Sequence, residues 1–174
     1  MLGRRLRLAG VGVGLAFGFP VFAAMLLSYH LWLGPGGLLE GARDAIAGKI
    51  LRFGIHGIAA YVAVGAFYSA IHSFLEEYYW RWFVFGHCRQ YVPWPAAAVV
   101  SSVAFAAHHV LVLSCYFGWS SWATWLFSAA VATGGGAWCW IYERSGSLAG
   151  PWLSHLLVDA AIFAVGYDLL KASL

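Results

Sequence analysis

Charge is scarce in this sequence. Ten Lys or Arg and seven Asp or Glu make up 10% of the 174 residues, whereas a typical soluble domain is about 25% charged. A soluble globular fold is thereby excluded. The formal net charge of +3 is also far too small to wrap a nucleic acid backbone, so no nucleic-acid partner is expected. Cysteine is equally sparse: Cys88, Cys115 and Cys139 are odd in number and form no CxxC, which excludes a disulfide scaffold and leaves them as apolar helix residues. There is no internal repeat, low-complexity tail or linker.

What abounds is apolar surface, 62% of the residues. A membrane-crossing helix takes about 20 apolar residues, and the runs at 8–33, 53–75, 96–116, 122–142 and 151–170 are each near that length. The fold class that follows is all-α, a polytopic membrane helical bundle of about five transmembrane helices in a single membrane domain, with the lipid bilayer as its solvent. Arg4, Arg5 and Arg7 precede the first run as a cytoplasmic anchor. That run exceeds the apolar core of a signal peptide, about 7–15 residues, and is read as an uncleaved span. Gly10, Gly14 and Gly18 recur along it every fourth residue, a spacing that lets another helix approach closely. Ser128, Ala132 and Gly136 repeat the pattern in the fourth run, with Gly134 and Gly135 alongside.

Gly34, Pro35, Gly36 and Gly37 interrupt the first helix, and residues 38–52, with Glu40, Arg43, Asp44, Lys49 and Arg52 among apolar neighbours, read as a helix lying on the membrane surface. The second run enters an aromatic segment, Tyr78, Tyr79, Trp80, Trp82, Phe83 and Phe85, of the kind that favours a headgroup boundary. Pro151 suits the first turn of the last helix.

Against this background three groups of ionisable residues stand out. A charge at the bilayer centre costs about 2.5–3.5 kcal/mol on insertion scales, so such residues are functional candidates. The groups are Glu76, Glu77 and Arg81; His108 and His109; and His155 with Asp159. Glu77 and Arg81 are one helical turn apart and suited to an ion pair, whereas Glu76 is rotated by about 100° and left free for chemistry. His155 and Asp159 share a helix face by the same rule. Each group falls on a different expected span, and convergence on one polar cavity lowers the insertion cost of all three.

The strings Glu76-Glu77-Tyr-Tyr-Trp-Arg81, Phe105-Ala-Ala-His108-His109 and His155-Leu-Leu-Val-Asp159 resemble, in that order, the EExxxR, FxxxH and HxxxN/D motifs of the CPBP family, the intramembrane CAAX proteases and bacteriocin-processing, Abi-type enzymes. The resemblance covers residues 74–163. It implies a glutamic-type membrane endopeptidase in which Glu76 and His109 activate water while His155 and Asp159 stabilise the oxyanion, with Glu77, Arg81 and Phe105 as structural support. His109 rather than His108 has phenylalanine at the motif spacing. Asp159 departs from the commoner asparagine; an ionised aspartate cannot donate to an oxyanion, so it is protonated, orients His155 or meets a cation.

Residues 1–52 then form an N-terminal span plus interfacial helix, and 53–174 the catalytic core. The expected cofactor is none; the alternative is zinc on Glu76, His109, His155 and Asp159, a plausible N/O donor set. The expected partner is a membrane-anchored protein or peptide substrate, and the expected location a bacterial inner membrane. The compact chain is closer to relatives that remove C-terminal sorting or anchor segments than to the larger prenyl-CAAX enzymes. HExxH is absent, no GxGD accompanies Tyr167-Asp168, and Ser147 does not open a GxSG helix, which sets other intramembrane proteases aside. The competing classes are a haem-binding or purely structural membrane protein and an inactive immunity protein.

Overall fold

The computed structural model describes residues 2–34, 37–171 and 174, and the side chains of all of these but 2–7 and 40. The Arg4, Arg5, Arg7 and Glu40 side chains and the helix-breaking Pro35 and Gly36 therefore lie outside the described residues. The described chain is all-helical and contains no strand. Helix α1 (Leu2–Ser28) continues through a π turn, Tyr29–Leu33, and is followed by α2 (Glu40–Arg52), α3 (Ile58–Cys88), α4 (Trp94–Phe117), α5 (Trp122–Ser145) and α6 (Ala149–Leu170).

Four helices, α1, α3, α4 and α6, are long and apolar enough to cross a membrane, one fewer than the sequence suggested. The fifth, α5, is as long as α4 at 24 residues but less apolar. Its ends explain what it does. Trp122 at its start stacks with Trp32 at the end of α1, and Glu143 near its finish takes the Arg89 guanidinium from the start of the α3–α4 connection, Nη2 to Oε1 2.8 Å. Helix α5 thus runs from one end of the bundle to the other, antiparallel to α4. Its Thr124, Ser128 and Gly135 are buried against protein, and a helix face covered by protein does not need lipid-like residues. The Glu143 carboxylate holds the exposed Arg89 above its ordinary pKa through that hydrogen bond.

The glycine stripe of α1 is a backbone contact. A methyl group at Gly14 would collide with the Gly150 carbonyl, one at Gly10 with Ser145, and one at Gly18 would stand 3.0 Å from the Ser154 Cα. Helices α1 and α6 touch main chain to main chain, where only glycine fits. On α5 the close approach to α4 falls at Gly135, whose missing Cβ would meet Ser102 at 3.2 Å, rather than at the expected Gly136. The buried positions Ser128, Gly135, Trp138 and Cys139 follow a rotation that passes between Gly134 and Gly136.

Helix α3 differs most from expectation. The second run is expected to reach about residue 75 and then to enter an aromatic segment; α3 instead continues unbroken for 31 residues, through the glutamate pair and the aromatics to Cys88. Two π stretches, Tyr68–His72 and Tyr78–Phe85, bracket the short α segment Ser73–Glu77. Carbonyls within these stretches are used by neighbouring helices: Ala70 accepts from Trp152 Nε1–H at 2.9 Å and Trp80 from the Ser101 hydroxyl at 2.9 Å. Wide turns of this kind are common where a helix presents functional groups. Here they fasten α3 to α4 and α6 on either side of the glutamates.

Candidate active site

The site is assembled on an ion pair that water does not reach. Arg81 and Glu77 are both fully buried, with Arg81 Nε 3.1 Å from Glu77 Oε2. The guanidinium carbon also lies 4.7 Å from the Phe105 ring centre and 5.0 Å from that of Trp138, so the cation is held between two aromatic faces. Its nitrogens make no aligned hydrogen bond among the described residues, which leaves Coulomb attraction to Glu77 and the rings as its compensation.

The other Glu77 oxygen accepts from His155 Nδ1 at 2.8 Å. His155 is stacked on Trp138 at 4.3 Å and 15°, and Trp138 is itself anchored by Nε1–H to the Ser154 hydroxyl at 3.0 Å. One nitrogen and one face of the imidazole are thus fixed. The remaining nitrogen, Nε2, stands 3.6 Å from both Glu76 Oε2 and Asp159 Oδ1.

Glu76 is set differently from its neighbour. Its carboxylate is 15% exposed, 3.4 Å from His108 Nε2 and 3.9 Å from His72 Nδ1. His108 lies flat on Trp80, ring centres 5.7 Å apart. His109 donates Nδ1–H to the Phe105 carbonyl at 3.0 Å, a bond that leaves the lone pair on Nε2. Donor atoms of Glu76, His108 and His109 all lie within 4.8 Å of one another.

All of the residues singled out by sequence are therefore gathered at one crossing of α3, α4 and α6, with α5 supplying Trp138. His72, outside the three groups, joins them: it precedes Glu76 by one turn, a spacing visible in the sequence. His108, which lacks the phenylalanine spacing of His109, is the histidine 3.4 Å from Glu76. Trp80 and Trp138 carry no sequence signal, because what they touch is set by tertiary packing. The donors close enough to share one ion are Glu76, His108 and His109; His155 and Asp159, counted in the expected zinc set, stand outside that group.

Long apolar helices enclosing buried carboxylates, imidazoles and a guanidinium define a polytopic membrane protein with acid–base groups at its centre. The chain belongs to the Rce1-like family of type II CAAX prenyl endopeptidases, whose model matches residues 45–161, from within α2 to within α6. It is an integral membrane peptidase of the CAAX-protease type. No curated protein and no solved structure matches it.

Proposed function

We propose that the protein hydrolyses a peptide bond in membrane-anchored substrates with water activated between Glu76 and His109, and that it removes C-terminal sorting or anchor segments. The observation that carries this reading is the contrast between adjacent glutamates: Glu77 is sealed and neutralised by Arg81, whereas Glu76 is partly open and surrounded by imidazoles. Glu76 takes the proton of the attacking water, and His109 Nε2 accepts the water's other hydrogen and orients it. The tetrahedral oxyanion is met by His155, which in its doubly protonated form donates Nδ1–H to Glu77 and Nε2–H to the oxyanion. Asp159 faces that same nitrogen and orients the ring. Glu76 then passes its proton to the leaving amine.

The test compares the termini of membrane proteins, by mass spectrometry, in cells carrying the wild type or the nearly isosteric Glu76→Gln. Tails retained only with the variant support the reading. Identical termini with a well-expressed variant overturn it.

The donor group favours a second reading in which zinc is held by Glu76, His108 and His109. The 3.4 Å between Glu76 Oε1 and His108 Nε2 fits an edge of a tetrahedral site, since metal–ligand bonds of about 2.0–2.2 Å give edges of roughly that length. The Phe105 carbonyl would orient His109 toward the ion, as partners of ligating histidines do. Zinc there would supply Lewis-acid polarisation of water. One zinc per chain with activity lost to a chelator supports it; full activity without bound metal supports the metal-free mechanism.

A further inference from the structure

Away from the glutamates, a groove of about 450 Å³ opens between the end of α2 and the end of α4, where Lys49, Arg52 and Phe53 face Cys115 and Tyr116 of the last turn of α4. That is the size of a small-molecule site. No acid lines it, and the groups that act most on Lys49 are Tyr116, Tyr68 and Cys115, none of them a carboxylate. Lys49 donates to the Tyr116 hydroxyl, with its Nζ 5.3 Å from that ring's centre, and the bond holds the ammonium above its ordinary pKa. A phenol that accepts from an ammonium keeps its own proton to give. The groove thus offers an ammonium, a guanidinium and a hydroxyl, all donors, from two helices.

Its depth in the membrane is marked by the surrounding aromatics. Trp119, Trp122 and Trp125 are exposed just beyond the end of α4, Trp32 of α1 stacks on Trp122, and Phe53 in the groove is itself exposed. Exposed tryptophans collect at the headgroup level. One turn back from Cys115 and Tyr116, toward the middle of the span, stand Leu111 and Val112, both exposed and apolar. The i,i+4 spacing puts Leu111 on a face with Cys115 and Val112 on a face with Tyr116. A cationic groove at the headgroup level therefore continues into an apolar strip that faces acyl chains. The molecule that matches both has a phosphate above and hydrocarbon below. Choline or ethanolamine on that phosphate would bring a third cation into a groove with no acid to receive it, whereas glycerol brings none.

We infer that the groove binds one anionic phospholipid, its phosphate held by Lys49, Arg52 and the Tyr116 hydroxyl and its acyl chains lying on Leu111 and Val112. The contacts are charge-assisted hydrogen bonds from an ammonium and a guanidinium to phosphate oxygens, and basic recesses between helices at a membrane surface take such heads. Because the cations belong to α2 and the hydroxyl to α4, the lipid pins the surface helix to the span that carries His108 and His109, about two turns back from Tyr116. The inference is independent of the peptidase reading.

Native mass spectrometry of the delipidated full-length protein in detergent tests it, with phosphatidylglycerol and phosphatidylcholine of the same acyl chains added in turn. One phosphatidylglycerol per chain is expected to bind at least about tenfold tighter than phosphatidylcholine, a difference of one charge-assisted contact. Lys49→Gln with Arg52→Gln is expected to bring phosphatidylglycerol down to the phosphatidylcholine level, and Tyr116→Phe to weaken it several-fold. The charge-keeping exchange Lys49→Arg with Arg52→Lys is expected to retain the preference. So is Lys171→Gln, which removes an exposed cation at the same end of the bundle but outside the groove. Equal binding of the two lipids, a preference that survives the loss of both cations, or a Tyr116→Phe protein that binds as the wild type does overturns the inference. A preference lost as fully with Lys171→Gln overturns it too, because the lipid is then drawn by general surface charge. Glycerophosphoglycerol, the same head without chains, separates the two sources of phosphate: binding as tight as that of the lipid makes the ligand a soluble phosphate and overturns the lipid assignment, and much weaker binding supports it.

Discussion

At the residue scale the two adjacent glutamates do different work because their surroundings differ. Glu77 and Arg81 carry opposite charges with no access to water, and removing one strands the other. Arg81→Ala is expected to cost about 3–5 kcal/mol, read as a fall in detergent-solubilised yield and melting temperature. The double substitution Glu77→Leu with Arg81→Met removes both charges and is expected to recover most of that stability. Activity should stay lost, because His155 no longer has the carboxylate that accepts from its Nδ1. A double variant as unstable as the single one would contradict this account. At the surface the sign is the same and the size is not: Arg89→Ala breaks a solvated pair with Glu143 and is expected to leave the melting temperature unchanged. Glu77 with Arg81, and His155 with Asp159, were legible as pairs because i,i+4 spacing on a helix is local information. By the same rule His72 belongs with Glu76. Which of His108 and His109 approaches Glu76 was not legible, since that depends on how their helix is rotated against α3.

At the scale of elements, α3 shows what periodicity misses. In its aromatic half Tyr78, Tyr79, Trp82 and Phe83 are exposed on the bundle surface, whereas Trp80 stacks on His108 and gives its carbonyl to Ser101 inside the bundle. A π stretch alters the rotation per residue and is invisible to a fixed helical period. The glycine stripe of α1, by contrast, was readable, because small residues at every fourth position have one common use. It yields a paired test: Gly14→Val is expected to separate α1 from α6 and lower yield and thermal stability, whereas Gly12→Ala, with nothing within 4 Å, is expected to be silent. Equal effects of the two would remove the backbone contact from the account. Trp152→Phe leaves the Ala70 carbonyl without its donor and is expected to cost about 1–3 kcal/mol, measured by thermal unfolding.

At the scale of the whole molecule, four helices are long and apolar enough to cross a membrane, and α5 is the segment that returns the chain from the end of α4 to the start of α6. Helix α4 ends where α2 lies and α6 begins where α1 begins, so α5 must return the chain between them. Single cysteines placed at residues 90 and 147 in a cysteine-free background are expected to label from one side of the membrane, and those at 54 and 120 from the other. Labelling of 120 and 147 from the same side would show that α5 does not cross. The helices were legible as apolar runs, while the lower apolarity of α5, with Thr124, Ser128 and Gly135 buried against protein, belongs to the assembled bundle.

The main-chain contact between α1 and α6 also bears on how a substrate arrives. Where Gly14 meets the Gly150 carbonyl there is no room for a methyl group, and so none for a polypeptide sliding in from the lipid. That seam is a closed door on one flank of α6, and a membrane-tethered chain has to enter from another side.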